Sequence, residues 1–457
     1  MNYGIVTLLP AILVILTAVK SKRTTEPLML GIASSYLIIS VVDHKNYITL
    51  MTESFFSVLT DYDTIWLIIV CGLFGSLIAV INEAKGTHAI ANFLGKICKS
   101  AKSTLFVSWI LGIIIFVDDY MNILTISACT KKLADKRKTP REALAYVIDS
   151  TGAPVCVLLP FSTWAIFFAG VFYEQDSVKA LGYGSAIQTY IHVIPFIFYA
   201  IVALIIVPLF ILGIIPKIGA MKKAYDRTEK TGKVYSNNSK KLNMNENKES
   251  SGEDSNLLDF IIPIATLIVV QLKTDDMFVG LVISLIVCAV MYIPRKKMTG
   301  SQFCDLYMKG FADLIPAVAI ILFALFMRQA SSDLMLPEYV ISIIQPLISP
   351  KLFPMVAFIT VAILGFITGS NWGIPAVCAP IIIPLGTALN VNLLLVMAAI
   401  VSGGTFCSHA CFYSDATVIT SSACGIDNMD HVYTQMPYAI LAFIIACVCF
   451  LISGFIF

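Results

Sequence analysis

The chain has 457 residues, of which 58% are hydrophobic and 13% charged, and its mean hydropathy is +0.85. A soluble domain carries about 25% charge, so a soluble globular protein is excluded. A β-barrel is excluded too, because the apolar runs are continuous rather than alternating. The net charge of +2 gives no reason to expect a nucleic-acid partner.

The first apolar stretch runs from Tyr3 to Val19 and is followed by Lys20, Lys22 and Arg23. It lacks a positive leading region and a small-residue cleavage site, so it reads as a retained helix rather than a signal peptide. Further spans are predicted at about 27–43, 64–82, 104–130, 143–172 and 190–215. A polar stretch from Pro216 to Asn256 follows, with Lys222-Lys-Ala-Tyr-Asp-Arg-Thr-Glu-Lys230 and Asn243-Met-Asn-Glu-Asn-Lys-Glu-Ser-Ser-Gly-Glu-Asp254. Its composition predicts a flexible cytoplasmic linker. Spans resume at about 257–272, 276–293, 313–328, 353–386, 388–424 and 437–457. The expected fold is therefore an all-α polytopic membrane protein with repeats at 1–215 and 257–457 joined by a linker at 216–256. The twelve cysteines lie mostly inside apolar stretches without metal or disulfide spacing, and read as small packing residues.

Topology follows from the basic residues. Lys96, Lys99 and Lys102 precede the span at 104–130, and Lys131, Lys132, Lys136, Arg137, Lys138 and Arg141 follow it. Both flanks are thus cytoplasmic. At about 1.5 Å per residue each arm reaches mid-membrane and returns, so 104–130 reads as a re-entrant hairpin with Asp118 and Asp119 at its tip. Five crossings then bring the linker to the cytoplasm, and the odd number inverts the second half. Its hairpin at about 353–386 opens outward. The expected total is ten transmembrane helices and two opposed hairpins, with both termini outside. The two halves share a polar break, Phe116-Val-Asp-Asp119 against Phe366-Ile-Thr-Gly-Ser-Asn371. They also share an Asp-x-Thr, Asp149-Ser-Thr151 against Asp415-Ala-Thr417.

Ionisable groups at membrane depth mark ion or substrate pathways. Asp118, Asp119, Asp149 and Asp415 are the acids so placed. With Ser150, Thr151, Ser414 and Thr417 they form the candidate cation- and proton-binding set. Gly152, Pro154 and Pro160 free further carbonyls. Sodium takes oxygen ligands, so a sodium site is expected at Asp149 with Asp118 or Asp119; the other of that pair caps the returning helix. No lysine or arginine is expected deep in any span, which leaves Asp149 to a cation or a proton. Thr368, Ser370, Asn371, Trp372, His409, Phe412 and Asn122 are candidate substrate contacts. His409 reads equally as a hydrogen-bonded packing residue, and Trp372 and Trp164 as packing or interface anchors.

Five blocks carry a resemblance: Val117-Asp-Asp-Tyr120, Arg141 to Pro154, Gly369-Ser-Asn-Trp-Gly373, Ser414-Asp-Ala-Thr417 and Asp430-His-Val-Tyr-Thr-Gln-Met-Pro-Tyr438. Together they resemble the NhaC-type Na+/H+ antiporter family of the ion transporter superfamily, across nearly the whole chain and in block order. The resemblance implies inverted repeats with paired hairpins and Na+/H+ exchange across a bacterial-type plasma membrane. The alternative it implies is Na+- or H+-coupled transport of an amino acid or small carboxylate; some relatives exchange malate for lactate. One block departs. The family's Gly-Asp-His-x-Ser-Pro is here Cys407-Ser-His-Ala-Cys-Phe412, with fewer oxygen ligands and more carbon, which suits an organic ligand. No nucleotide-binding loop, HExxH or Gly-x-Ser-x-Gly is present, so an enzyme is not expected. Nor is any cofactor beyond Na+ and H+ as coupling ions. A homodimer is left open.

The topology is open to direct test. In a background without reactive thiols, Lys102→Cys and Lys136→Cys should both resist impermeant reagents added outside intact cells. Labelling of one and not the other would mean that 104–130 crosses the membrane.

Overall fold

The computed structural model describes residues 3–457, except residues 22, 24, 117, 161, 244–255, 275 and 345–348. The described residues form helices and no strand. In chain order the first half comprises α1 (Leu8–Ser21), α2 (Thr25–Asp43), α3 (Tyr47–Thr60), α4 (Tyr62–Glu83), α5 (Gly86–Ile97), α6 (Ala101–Ile114) and α7 (Asp119–Lys136). It continues with α8 (Arg141–Asp149), α9 (Ala153–Cys156), α10 (Thr163–Tyr173), α11 (Asp176–Lys179), α12 (Ala186–Val193) and α13 (Phe198–Leu212). After α14 (Gly219–Thr231) come α15 (Leu258–Thr274), α16 (Met277–Tyr292), α17 (Gly300–Asp313), α18 (Ile315–Asp333) and α19 (Leu336–Ile344). The last elements are α20 (Phe353–Thr368), α21 (Gly373–Ala388), α22 (Leu393–Ala410), α23 (Asp415–Cys424) and α24 (Asn428–Ile456).

Five helical segments among the described residues are long and apolar enough to cross a membrane, or seven if each of two bent pairs counts as one span. The number is below ten because several apolar helices, α6, α10 and α21 among them, have fewer than 18 residues. Each of these three abuts a described residue outside helix: Ile115 after α6, Ser162 before α10 and Trp372 before α21.

The left-handed turns recur at a nearly constant interval along the chain. His44 (φ 54°) precedes α3 as Lys296 (φ 55°) precedes α17. Lys85 (φ 63°) precedes α5 as Met335 (φ 57°) precedes α19, and Lys138 (φ 50°) lies ahead of α8 as Asn390 (φ 55°) lies ahead of α22. These are all the non-glycine residues with positive φ among those described. The step from His44 to Lys296 equals that from Lys138 to Asn390, and the step from Lys85 to Met335 is nearly the same. Such residues are uncommon, so the recurrence sets the register between the halves. The same step leads from Arg141, which opens α8, to Leu393, which opens α22, and from Thr163, which opens α10, to Asp415, which opens α23. In that register Asp415 matches Thr163, and Asp149 matches Val401. The pairing of Asp149-Ser-Thr151 with Asp415-Ala-Thr417 is therefore corrected: the two motifs sit at different breaks. The first half interrupts its helix at 150–152, where the second half stays helical through Ser402-Gly-Gly404.

The halves are joined where α4 crosses α17. Small residues let membrane helices approach closely, and here the backbones touch. A Cβ on Gly310 would meet Cα of Ser76 at 2.7 Å, and one on Gly75 would collide with the Gly310 carbonyl. Ser76 Oγ donates across the same contact to the Tyr307 carbonyl at 2.7 Å.

The stretch expected to be a flexible linker is ordered over 216–243; residues 244–255 lie outside the described ones. Met221, Ala224 and Thr228 recur at helical spacing and bury one face of α14. The dense lysines on the other face hide that periodicity. Arg227 pairs with both oxygens of Glu142 at 2.8 Å. Arg141 pairs with Asp135 at 2.7 Å and donates to Asn243 at 2.6 Å. Asn243 Nδ2 donates in turn to the Gly425 carbonyl at 2.8 Å.

The α4–α17 crossing yields a stability prediction. Gly310→Val should cost about 1–3 kcal/mol by overpacking, read as a lower unfolding temperature in detergent. Gly300→Ala should be near neutral, because a Cβ there meets nothing within 4 Å.

Candidate functional site

The first hairpin tip is held by side chains that replace water. Asp118 is the N-cap of α7; its Oδ1 accepts from the amides of Tyr120 at 3.0 Å and Met121 at 3.1 Å. Its Oδ2 accepts from Thr163 Oγ1 at 3.2 Å. Of the adjacent pair, Asp118 is thus the cap. Asn122 donates to the carbonyls of Gly112 at 2.7 Å and Ile115 at 2.6 Å, closing the two arms on each other. A Cβ on Gly112 would collide with the Thr151 hydroxyl, so α6 lies directly against the break after α8.

Asp119 is different. It is 0% exposed, and neither carboxylate oxygen has a hydrogen-bond partner. The Trp164 indole N–H lies near it without closing a hydrogen bond, and is itself left without a partner. The charges of Asp118 and Asp415 act on Asp119. Asp415 opens α23, where its Oδ1 accepts from its neighbour Ala416 N at 2.8 Å and from Asn371 Nδ2 at 2.9 Å. Its Oδ2 accepts from the Tyr120 hydroxyl at 2.5 Å. Asp415 is thus tied to α7 through Tyr120, and its charge acts on both Asp118 and Asp119.

Asp149 stands in a second group. Its Oδ2 is hydrogen-bonded to His431 Nε2 at 3.0 Å, and accepts from Gln435 Nε2 at 2.6 Å and from Thr417 Oγ1 at 3.5 Å. No hydrogen bond or ion pair among the described residues joins Asp149 to Asp118 or Asp119. No group of three or more His, Cys, Asp or Glu among them is placed to hold a metal ion. His409 is fully engaged: Nε2 meets Ser150 Oγ at 2.9 Å, Nδ1 meets the Tyr199 hydroxyl at 2.8 Å, and Gln435 also donates to its carbonyl. It is a junction between elements. The expectation that Asp149 has no basic partner is corrected by His431. Arg328 lies on α18 beside the second hairpin tip, its Cδ 3.6 Å from the Cβ position of Gly373.

The remaining candidates serve the backbone or the packing. Ser150 and Thr151 donate to carbonyls of their own turn, at 2.6 Å to Tyr146 and 2.9 Å to Ile148. Thr368 donates to Leu364 at 2.8 Å, and Ser370 Oγ accepts from Gly373 N at 3.0 Å. Trp372 packs on Trp164 with centroids 4.5 Å apart and on Phe167 at 4.7 Å. Phe412 packs on Tyr413 at 4.6 Å. Ser414 caps α23: its Oγ accepts from Thr417 N and donates to the Ser408 carbonyl at 2.6 Å. Ser162 does the same at the matching position of the first half, accepting from Ala165 N and donating to the Cys156 carbonyl at 2.6 Å. Sequence reasoning missed Tyr120, Tyr199, His431, Gln435 and Arg328 as members of the site. His431, Gln435 and Tyr438 recur at i, i+4, i+7 along the first turns of α24, and that shared face was the available signal.

The model of the Na+/H+ antiporter family matches residues 155–455. This chain belongs to that family. The matched residues include His409, Asp415, His431 and Gln435, and begin just after Asp149. Members of such a family carry small ions or solutes across a membrane, and this one is a multi-pass secondary transporter rather than an enzyme. A protein of Haemophilus influenzae without an assigned function is 23% identical over 98% of this chain and 90% of its own length. A malate-2H+/Na+-lactate antiporter of Bacillus subtilis is 32% identical over 24% of each chain. A Na+/H+ antiporter of Haemophilus influenzae, itself uncharacterized, is 31% identical over 21% of each. The last two matches thus span about a quarter and a fifth of those proteins.

The matched caps set an equal test for both halves. Ser162→Ala and Ser414→Ala should each cost about 1–2 kcal/mol, the price of a lost N-cap, measured as similar drops in unfolding temperature. A large drop for one and none for the other would contradict the equivalence of the two breaks.

Proposed function

We propose that this chain exchanges Na+ for H+ across the plasma membrane, through two inverted repeats whose hairpin tips and broken helices meet at the midplane. The observation that carries the reading is Asp119. A carboxylate buried with no protein partner is neutralised by something outside the chain, a cation or a proton. Asp118 and Asp415 stand beside it, and the Thr163 and Tyr120 hydroxyls add neutral oxygens. Oxygen ligands of this kind suit a hard cation such as sodium. We place the cation there rather than at Asp149, whose Oδ2 is already taken by His431, Gln435 and Thr417.

The Asp149–His431 pair is the proton site. His431 is buried with its Nε2 3.0 Å from Asp149 Oδ2, so one proton can be held between the two side chains. Thr417 touches Asp149 from the helix that Asp415 opens, so filling one site bears on the other. The basic flanks of the first hairpin, the odd number of crossings before the linker and the recurrence of left-handed turns at matching positions support inversion.

The test uses proteoliposomes with a lumenal pH dye and an imposed sodium gradient. Wild type should move protons with sodium alone. Asp119→Asn and Asp149→Asn should fall to the level of protein-free liposomes while remaining folded. Apparent sodium affinity should fall as pH drops between about 8.5 and 6, because protons and sodium compete for carboxylates. An affinity constant over that range would overturn the exchange. A second reading, coupled transport of a small carboxylate, is favoured by Arg328.

A further inference from the structure

The three helices that build the Asp149 group end together at the side of the molecule that bears α14. α8 starts there with Arg141, α23 stops there with Cys424, and α24 starts there after its cap Asp427. The three pack on one another. At about 1.5 Å of rise per residue, His431 lies about 6 Å along from Asp427, Thr417 about 10 Å from Cys424 and Asp149 about 12 Å from Arg141. Within that depth, Thr420 Oγ1 and His431 Nδ1 are buried and have no hydrogen-bond partner among the described residues. Buried polar groups left unpaired in this way are where an interior exchanges water or protons.

Residues 234–243 lie across the three helix ends as a strap. The Val234 carbonyl accepts from Arg141 N at 2.8 Å, and the Tyr235 ring centroid is 5.0 Å from Cζ of Arg141. Ser236 Oγ donates to Asp430, and Asn238 Nδ2 donates to the same carboxylate at 3.2 Å. Asp427 N donates to Ser239 Oγ at 2.9 Å. Asn243 fastens the far end: its Oδ1 accepts from Arg141 Nη1 at 2.6 Å, and its Nδ2 donates to the Gly425 carbonyl at 2.8 Å. Gly425 (φ 67°) permits that seat, because a Cβ there would come within 2.7 Å of Arg141 Nη1 and 2.8 Å of Asn243 Oδ1.

The strap can leave without stranding a charge. Most of its bonds join neutral groups, and water replaces such bonds at little net cost. Asp430, the carboxylate it touches, is half-buried and open to water. Arg141 keeps Asp135 as its partner whether or not Asn243 is seated. The base stays behind with α14, which Arg227 pins to Glu142 of α8, because the Lys233 carbonyl accepts from Arg227 Nε at 3.1 Å and Thr228 Oγ1 at 3.0 Å.

We propose that residues 234–243 gate the passage of protons between the Asp149–His431 pair and the end of the molecule that bears α14. Seated, the strap caps the three helix ends. Lifted, it lets water reach Thr420 and His431 Nδ1. The proposal deepens the reading of that pair as the proton site and rests on it.

The experiment uses the full chain with Cys424 as its sole native cysteine, a buried thiol beside the Gly425 seat. Ser239→Ala with Asn243→Ala should speed labelling of Cys424 by N-ethylmaleimide at least about tenfold, as expected for the loss of several weak bonds. Cys288, buried on α16 and kept as sole native cysteine in a parallel protein, should label at an unchanged rate. Ser236→Cys with Asp430→Cys, joined by a cleavable thiol crosslinker, should stop both Cys424 labelling and sodium-driven proton movement in proteoliposomes, and cleavage should restore both. The proposal is overturned if the alanine pair leaves Cys424 labelling unchanged, if Cys288 labelling rises as much as that of Cys424, or if the bridged protein moves protons as fast as the unbridged one. A wild type that moves no protons with sodium counts against the exchange reading alone, and the labelling of Cys424 with and without the bridge then decides the strap.

Discussion

A helix interrupted inside a hydrocarbon layer leaves carbonyls and amides that water cannot reach, and the way this chain satisfies them governs the rest of its structure. The carbonyls of Phe116 and Phe366 are met by the Cys156 and Cys411 thiols, and that of Ile367 by the Tyr413 hydroxyl. Val157 is met by the Tyr190 hydroxyl and Phe412 by the Asn428 amide. Ser162 and Ser414 bond a carbonyl before each break and an amide after it. Once the backbone is served in this way, few polar groups near the tips lack a role. Asp119 and Arg328 stand out because the chain itself does not use them.

Four acids at similar depth would repel one another if they shared one cavity. The fold separates them instead, with Asp149 under His431 and Gln435 and the other three between the tips. α23 connects the groups, since it begins with Asp415 and reaches Asp149 through Thr417 in its first turn. Gln435 ties the same region to the His409 carbonyl, and His409 reaches Ser150 and Tyr199. In the exchange proposed above, α23 is the element that would couple the cation group to the proton group, because it touches both.

The departure of the second half from the first has a chemical meaning. Ser370 and Asn371 occupy the places of Asp118 and Asp119, and Val401 that of Asp149, so the repeat supplies one acid, Asp415, where the first supplies three. Charge is concentrated on one side of the tips, and the only arginine near them among the described residues comes from the other. Meanwhile the end of the molecule that carries α14 is closed by neutralised pairs. Arg227 on Glu142 and Arg141 on Asp135 hold α14 and the residues after it against α8 and the Gly425 turn.

The sequence by itself determined the class of the molecule, because hydropathy, basic flanks and acids inside apolar runs are local properties that need no partner to be read. The two breaks, the capping role of one of Asp118 and Asp119, and the family were legible in the same way. Tertiary structure alone decided which acids share a group. Asp149 meets His431 and Gln435 across 282 and 286 residues, and Tyr120 meets Asp415 across 295. No spacing rule carries that information. It decided the register of the halves as well, since the motif match of Asp149 with Asp415 was chemically plausible. Only the recurrence of left-handed turns and serine caps at nearly one separation places Asp415 opposite Thr163. The order of 216–243 was hidden for a related reason: its helix is amphipathic, and one strongly charged face outweighs the buried one in any composition taken over the whole segment.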